Sequence, residues 1–182
     1  MSTSAPVLAP MALSESTTQR FAKEVAKYPA DQSQSAVMAC LSILQQEAGW
    51  VSPEGELAVA QYLGMPVMAV REVSSFYNMY NLKPVGHFKI NVCTNLPCQL
   101  RDGAQALAHV CARLGVEPGG TTADGVFTVQ PGECMGACAD APVLLVNDRS
   151  MCSFMSHEKL DQLVDGLRQS AMEKATPRMR SN

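Results

Sequence analysis

Apolar positions recur at helical spacing through the first half of the chain and alternate with polar ones after residue 86. Phe21, Val25 and Ala26 predict a helix over about 16–28. Val37, Met38, Cys40, Leu41 and Leu44 follow the i, i+3, i+4, i+7 pattern and predict a second helix within 32–50. The third has the clearest punctuation: Ser52 as N-cap, Pro53 at the first helical position, Glu54 and Glu56 in the first turn, and Gly64 as the stop. A fourth starts at Pro66 and continues through "FYNMY" to residue 80. No internal repeat is visible.

After the loop "NLKPVG" the period changes. In "HFKINVC", Phe88, Ile90 and Val92 alternate with His87, Lys89 and Asn91, which predicts a strand ending at Cys93. Leu107, Val110, Cys111 and Leu114 predict a helix within 101–115, closed by Gly115. Strands follow at 126–130 and 142–148, then a short fourth one after the Asn147–Asp148 turn. A last helix, capped by Ser156, runs to about residue 172. The second half thus reads β-α-β-β-β-α.

Composition narrows the classes. With 47% hydrophobic and 17% charged residues in 182, a substantial core is expected and global disorder is not. A net charge of −3 gives no reason to expect a nucleic-acid partner. The basic tail "EKATPRMRSN" reads as a solvated end. No apolar run approaches the roughly 18–20 residues of a membrane helix. The Pro/Ser/Ala-rich start has no positive region and no compact apolar stretch, so residues 1–13 read as a disordered arm and not as a signal. A soluble cytoplasmic protein is expected, with no membrane insertion of its own. Seven cysteines in such a chain point to metal or redox chemistry more than to disulfides.

Four of the seven come in two close pairs, Cys93 and Cys98 in "INVCTNLPCQL" and Cys134 and Cys138 in "GECMGACADAP". A strand–helix–strand crossover makes its two strands parallel, so both pairs emerge at one carboxyl edge of one sheet. Two thiolates from each loop can then enclose an inorganic centre. The C-x4-C and C-x3-C intervals suit a 2Fe–2S cluster, with two ligands per iron, better than the tighter C-x2-C of zinc ribbons. Structural zinc, functional disulfides and four unrelated core cysteines are the alternatives. His87, His109 and His157 do not neighbour the pairs, which removes a Rieske centre. Cys40 and Cys111 fall on apolar helical faces and Cys152 on or beside the fourth strand, so these three read as structural. Gly136 is expected to let backbone amides approach the sulfurs of such a cluster without a Cβ clash, Thr94 to offer a hydroxyl, and the start of the 100–114 helix to offer free N–H groups. "PGGTTADG" lacks the spacing of a dinucleotide fingerprint and precedes a strand, and no catalytic set stands out. Phe76, Tyr77, Met79 and Tyr80 suit a partner contact and core packing equally well. Ala141–Pro142, at the sheet edge, is a candidate cis bond, against a base rate of about 5–6% for X–Pro.

The two cysteine runs, with "SSFYNMYNLKP" before the first strand, resemble the thioredoxin-like 2Fe–2S subunits of respiratory complex I, NADH:quinone oxidoreductase (the bacterial E-subunit family), over about residues 20–170. The resemblance implies an α/β architecture: an N-terminal helical bundle at 14–80, then a thioredoxin-like 2Fe–2S ferredoxin domain with a mixed sheet at 81–172 and a flexible tail at 173–182. It also implies that Cys93, Cys98, Cys134 and Cys138 hold one 2Fe–2S cluster. The chain would pass single electrons as a non-catalytic subunit of NADH dehydrogenase. FMN and NADH would sit on a partner flavoprotein subunit, among other peripheral-arm subunits on the cytoplasmic side of the inner membrane. Equivalent subunits of NAD-linked hydrogenases and formate dehydrogenases share these motifs. An independent ferredoxin and a zinc-stabilised binding module are the other functional classes.

Overall fold

The computed structural model describes residues 8–175, and these form two compact units divided between Pro84 and Val85. In the first unit, α1 (Glu15–Val25) starts at Ser14, whose hydroxyl accepts the Thr17 N–H at 3.0 Å. α2 (Val37–Ala48), α3 (Pro53–Leu63) and α4 (Val67–Phe76) follow. α3 has the caps its sequence announces: the Ser52 hydroxyl accepts from Gly55, and Gly64 closes the helix in a left-handed conformation. The single long helix expected over 32–50 is divided. Residues Ala30–Ala36 form a 3-10 segment in which Gln32 leaves helical geometry at φ −117°. Phe21, Leu41, Leu44, Val59 and Val70 form the shared core, with Met11 and Leu13 packed against it and the Met11 N–H bonded to the Glu54 carbonyl at 3.0 Å. Residues 1–7 and 176–182, parts of the expected arm and tail, lie outside the described residues.

α4 ends at Phe76, four residues before the apolar run does. The reason is a split in the aromatic cluster. Tyr80 turns inward and its hydroxyl donates to the Met38 carbonyl at 2.8 Å, whereas Phe76 is 80% exposed and Tyr77 and Met79 are also exposed.

The second unit is built on a four-stranded sheet, ordered β2-β1-β3-β4: β1 (Phe88–Cys93), β2 (Phe127–Gly132), β3 (Leu144–Val146) and β4 (Ser150–Cys152). β1 is central, parallel to β2 and antiparallel to β3. β3 and β4 form a hairpin whose Asn147 and Asp148 both hold positive φ, as a tight primed turn requires. Phe88, Ile90 and Val92 alternate onto one face and pack, with Phe127, Val129 and Leu144, against Val110 of α6 (Gly103–Leu114) and Leu160 and Val164 of α7 (His157–Ala175). The opposite phase of β1 carries Lys89 and Asn91. Buried Lys89 pairs with Asp148 at 2.5 Å, and the Asn91 amide donates to the other oxygen of that carboxylate. A four-residue helix, α5 (Leu96–Gln99), lies between β1 and α6 and has no periodic signal in the sequence.

Candidate metal centre

The parallel register sets Cys93, the last residue of β1, opposite Gly132, the last of β2. Cys98 returns to this edge on α5, and Cys134 and Cys138 lie on the loop that leaves β2. Val143, just before β3, completes the edge by accepting the Cys93 N–H at 3.0 Å. Cys93 and Cys98 are 2% and 1% exposed and share a small apolar nest with Ala141 and Val143, with Met135 and Ala137 against it. Cys134 and Cys138 are exposed.

The chain clasps the two loops together. Thr94 donates its N–H to the Gly132 carbonyl at 3.1 Å, and the Asn95 amide donates to Glu133 at 2.6 Å. The Thr94 hydroxyl also points to Gly132. α6 abuts the carbonyls of the first loop, because a Cβ on Gly103 would lie 2.8 Å from the Cys98 oxygen and 2.9 Å from that of Cys93. Glycine is required there by close approach. At Gly136 a Cβ would meet no protein atom within 4 Å, and the φ of +77° favours glycine. The Ala141–Pro142 bond is cis. The local preference for trans is only about 0.5–1 kcal/mol, and hydrogen bonds to the Pro142 and Val143 carbonyls fix the segment on both sides.

The thiols sense one another across the loops. Burial, and then contact with Cys93, push the Cys98 thiol up, and the charges of Cys93 and Cys138 add to this. The Cys138 thiol is raised first by its hydrogen bond with Cys134, and then by desolvation and by the charges of Cys134 and Cys93. Four thiolates gathered here repel, and cations between them would reverse that repulsion. Cys134 and Cys138 have their sulfurs 3.8 Å apart, which is about the edge of a tetrahedron with metal–sulfur bonds near 2.3 Å. Among the described residues, no three His, Cys, Asp or Glu side chains converge on one ion. Two thiol pairs at one edge offer the four donors, two per iron, that a dinuclear iron centre takes.

The remaining cysteines belong to other clusters, although Cys152 ends β4 level with Val92, two strands from the end of β1. Cys40 is in the helical core, Cys111 is on the buried face of α6, and Cys152 is on β4. What sequence reasoning missed is the support: Asn95, whose amide reaches Glu133, and Gly103. Neither carries a pattern that marks it in advance.

Thiolates without an acid–base partner offer metal or redox chemistry, which puts the protein in the ferredoxin class. The chain belongs to the thioredoxin-like [2Fe-2S] ferredoxin family, matched over residues 21–168, and its cofactor is one 2Fe–2S cluster. It is 38% identical over 151 residues to NADH-quinone oxidoreductase subunit 2 of Thermus thermophilus, covering 82% of this chain and 83% of that one. With the E-type NADH-quinone oxidoreductase subunit of Rickettsia felis it shares 39% identity over 143 residues, 78% of this chain and 84% of the other. An NAD+-reducing [NiFe]-hydrogenase in the air-oxidized state shares the fold, with a TM-score of 0.64 at 21% identity over 74% of this chain and 23% of that one.

Proposed function

We propose that Cys93, Cys98, Cys134 and Cys138 hold the cluster, and that the chain is the electron-transfer subunit of an NADH:quinone oxidoreductase whose partner flavoprotein carries FMN and binds NADH. The observation that carries this reading is the parallel β1–β2 register, which brings two thiol pairs to one sheet edge. The relatives named as NADH-quinone oxidoreductase subunits support the parent complex. When bound, the cluster supplies one-electron transfer.

The chain's own residues do the rest. Cys93 and Cys98 keep one half of the site dry, the Asn95–Glu133 hydrogen bond holds the second loop against the first, and Gly103 lets α6 brace the whole edge. Hydride chemistry would belong to the partner, whose flavin would exchange single electrons with the cluster. No helix among the described residues is long and apolar enough to cross a membrane. Attachment to the cytoplasmic side of the inner membrane is assigned to the assembly. The hydrogenase likeness, one of fold, supports the equivalent diaphorase subunit as a second reading.

Reconstitution with iron and sulfide is expected to give a brown protein with about two irons per chain. A colourless protein that retains zinc under the same treatment would overturn the ligand assignment. Purified alone, the chain is expected to show no NADH:acceptor activity. In native extract it should co-purify with a flavoprotein, and recovery as free monomer only would favour an independent ferredoxin.

A further inference from the structure

Between Gly132 and Ala141, on the run that leaves β2, Met135 is the one large apolar side chain besides the cysteines. Exposure alternates along this run. Cys134, Gly136 and Cys138 are exposed, while Met135 and Ala137 are half-buried and pack against the nest of Cys93, Cys98, Ala141 and Val143. Met135 thus turns inward between two residues that face solvent. Its terminal methyl ends at Gly132. A Cβ on that glycine would lie 2.9 Å from the Met135 Cε, whereas its next neighbours, the Asn91 Cβ and the Val92 carbonyl oxygen, would be 3.5 Å away. The space left by the missing side chain is therefore the seat of the methionine methyl, and Gly132 stands opposite Cys93 in the β1–β2 register. A flexible thioether fills such an irregular gap well. Cys134 is held from both sides: Glu133 before it accepts from the Asn95 amide at 2.6 Å, and Met135 after it is seated on the sheet edge.

We propose that Met135 is a positioning residue for the cluster, an inference that rests on the four-cysteine assignment above. It acts in two ways. As a peg in the Gly132 gap it ties the exposed loop to the sheet end, so that less chain entropy is lost when Cys134 takes up its metal. As an apolar cover against Cys93 and Cys98 it keeps water from the buried side of the site. The apolar shell of a metal centre controls solvent access, and through it the reduction potential. An electron gained at the site adds negative charge, which water stabilises, so a cover against water holds the potential down.

The test uses the full chain reconstituted with iron and sulfide. It reads the midpoint potential in a dye-mediated titration and the rate of cluster loss to an iron chelator. Met135→Ala is expected to raise the potential and to speed the loss about 10-fold or more, the scale of outer-shell changes at metal sites. Met135→Leu, apolar and close in volume, is expected to restore both. Gly132→Ala keeps the methionine but sets a methyl against its own, and is expected to shift both readouts in the same direction by less. Leu96→Ala, at an apolar position of α5 that is 69% exposed, should move neither. A Met135→Ala chain with the parent's potential and rate of loss would overturn the proposal, and so would a Met135→Leu chain that behaves like Met135→Ala. If Met135→Ala takes up no cluster, Gly132→Ala decides: shifted readouts sustain the role, and readouts identical to the parent's overturn it. If the unaltered chain takes up no iron, or loads without its cysteines, the ligand assignment fails and this proposal with it. If loading depends on the cysteines while the Met135 variants match the parent, the assignment stands and the peg alone is refuted.

Discussion

The loop bearing Cys93 and Cys98 is bonded along its length: Cys93 to Val143, Thr94 to Gly132, and Gln99 and Leu100 back to Asn95 and Leu96. Both of its sulfurs lie in an apolar nest. The loop bearing Cys134 and Cys138 is open to solvent and bends through a left-handed Gly136. One half of the site is thus fixed by folding alone. The other is open to solvent. A thiolate site can be rigid on one side and adaptable on the other when the sheet register and a few bonds between the loops set their separation.

The sharpest break of this comparison is ligand replacement. Cys98→Ser sets a hydroxyl in the apolar nest with no room for a substitute ligand, at a cost of about 1–3 kcal/mol for the unpaired polar group alone, and is expected to remove nearly all bound iron. Cys138→Ser, at the solvent side, is expected to retain a measurable fraction, since water or the new hydroxyl can complete coordination. Equal iron content in the two variants would erase the asymmetry. Cys111→Ser, away from the edge, should leave iron content unchanged.

Thiol reactivity of the cluster-free chain gives the second test. Cys134 and Cys138 should be alkylated first and Cys93 and Cys98 much later. Cys40 marks the unreactive limit: burial, and then the Glu24 charge, push its thiol up to about 12, so only about 10⁻⁴ of it is thiolate at pH 8. Early labelling of Cys40 would mean that the helical core opens more readily than its packing implies. The two bracing glycines differ less. Gly103→Ala drives a Cβ into two carbonyl oxygens and should cost about 1–3 kcal/mol in urea unfolding. Gly136→Ala meets only its backbone conformation, about 1 kcal/mol. The reverse order would relocate the tight contact.

The smallest effect belongs to Asp124, remote from both loops. Hydrogen bonds from Thr122 and Val126, and then the charge of Arg168, hold its carboxyl below the usual range. A folded-state pKa below the unfolded one means that the contribution is complete above the ordinary carboxylate range and fades as pH falls through the depressed value. Asp124→Asn is therefore expected to melt slightly below the parent at neutral pH, with the gap closing on acidification. A gap that widens in acid would contradict this.

Where residue type dictates conformation by itself, the sequence was legible. Ser52, Pro53 and Gly64 delimit α3 without help from the rest of the chain, and the alternation of β1 runs straight to Cys93. The cysteine pairing at one edge followed from topology, since a crossover forces parallel strands. What escaped depends on tertiary contact. α5 is too short to show a period, and the departure of Gln32 from helical geometry leaves no mark in composition. Phe76 and Tyr80 are alike in character, yet one faces water while the other bonds to Met38, and only the packed bundle decides which. The conformation of Phe154 is likewise set by partners distant in the chain.

The parallel pairing has a practical corollary. α6 carries the chain from the cysteine edge back to the opposite end of the sheet, where residues 116–126 turn into β2. Added length there enters a surface connection, and the closing of such a connection grows costlier only slowly with size. A reporter peptide spliced beside Pro118 would leave both sulfur pairs where they are, and would give an internal handle for following assembly.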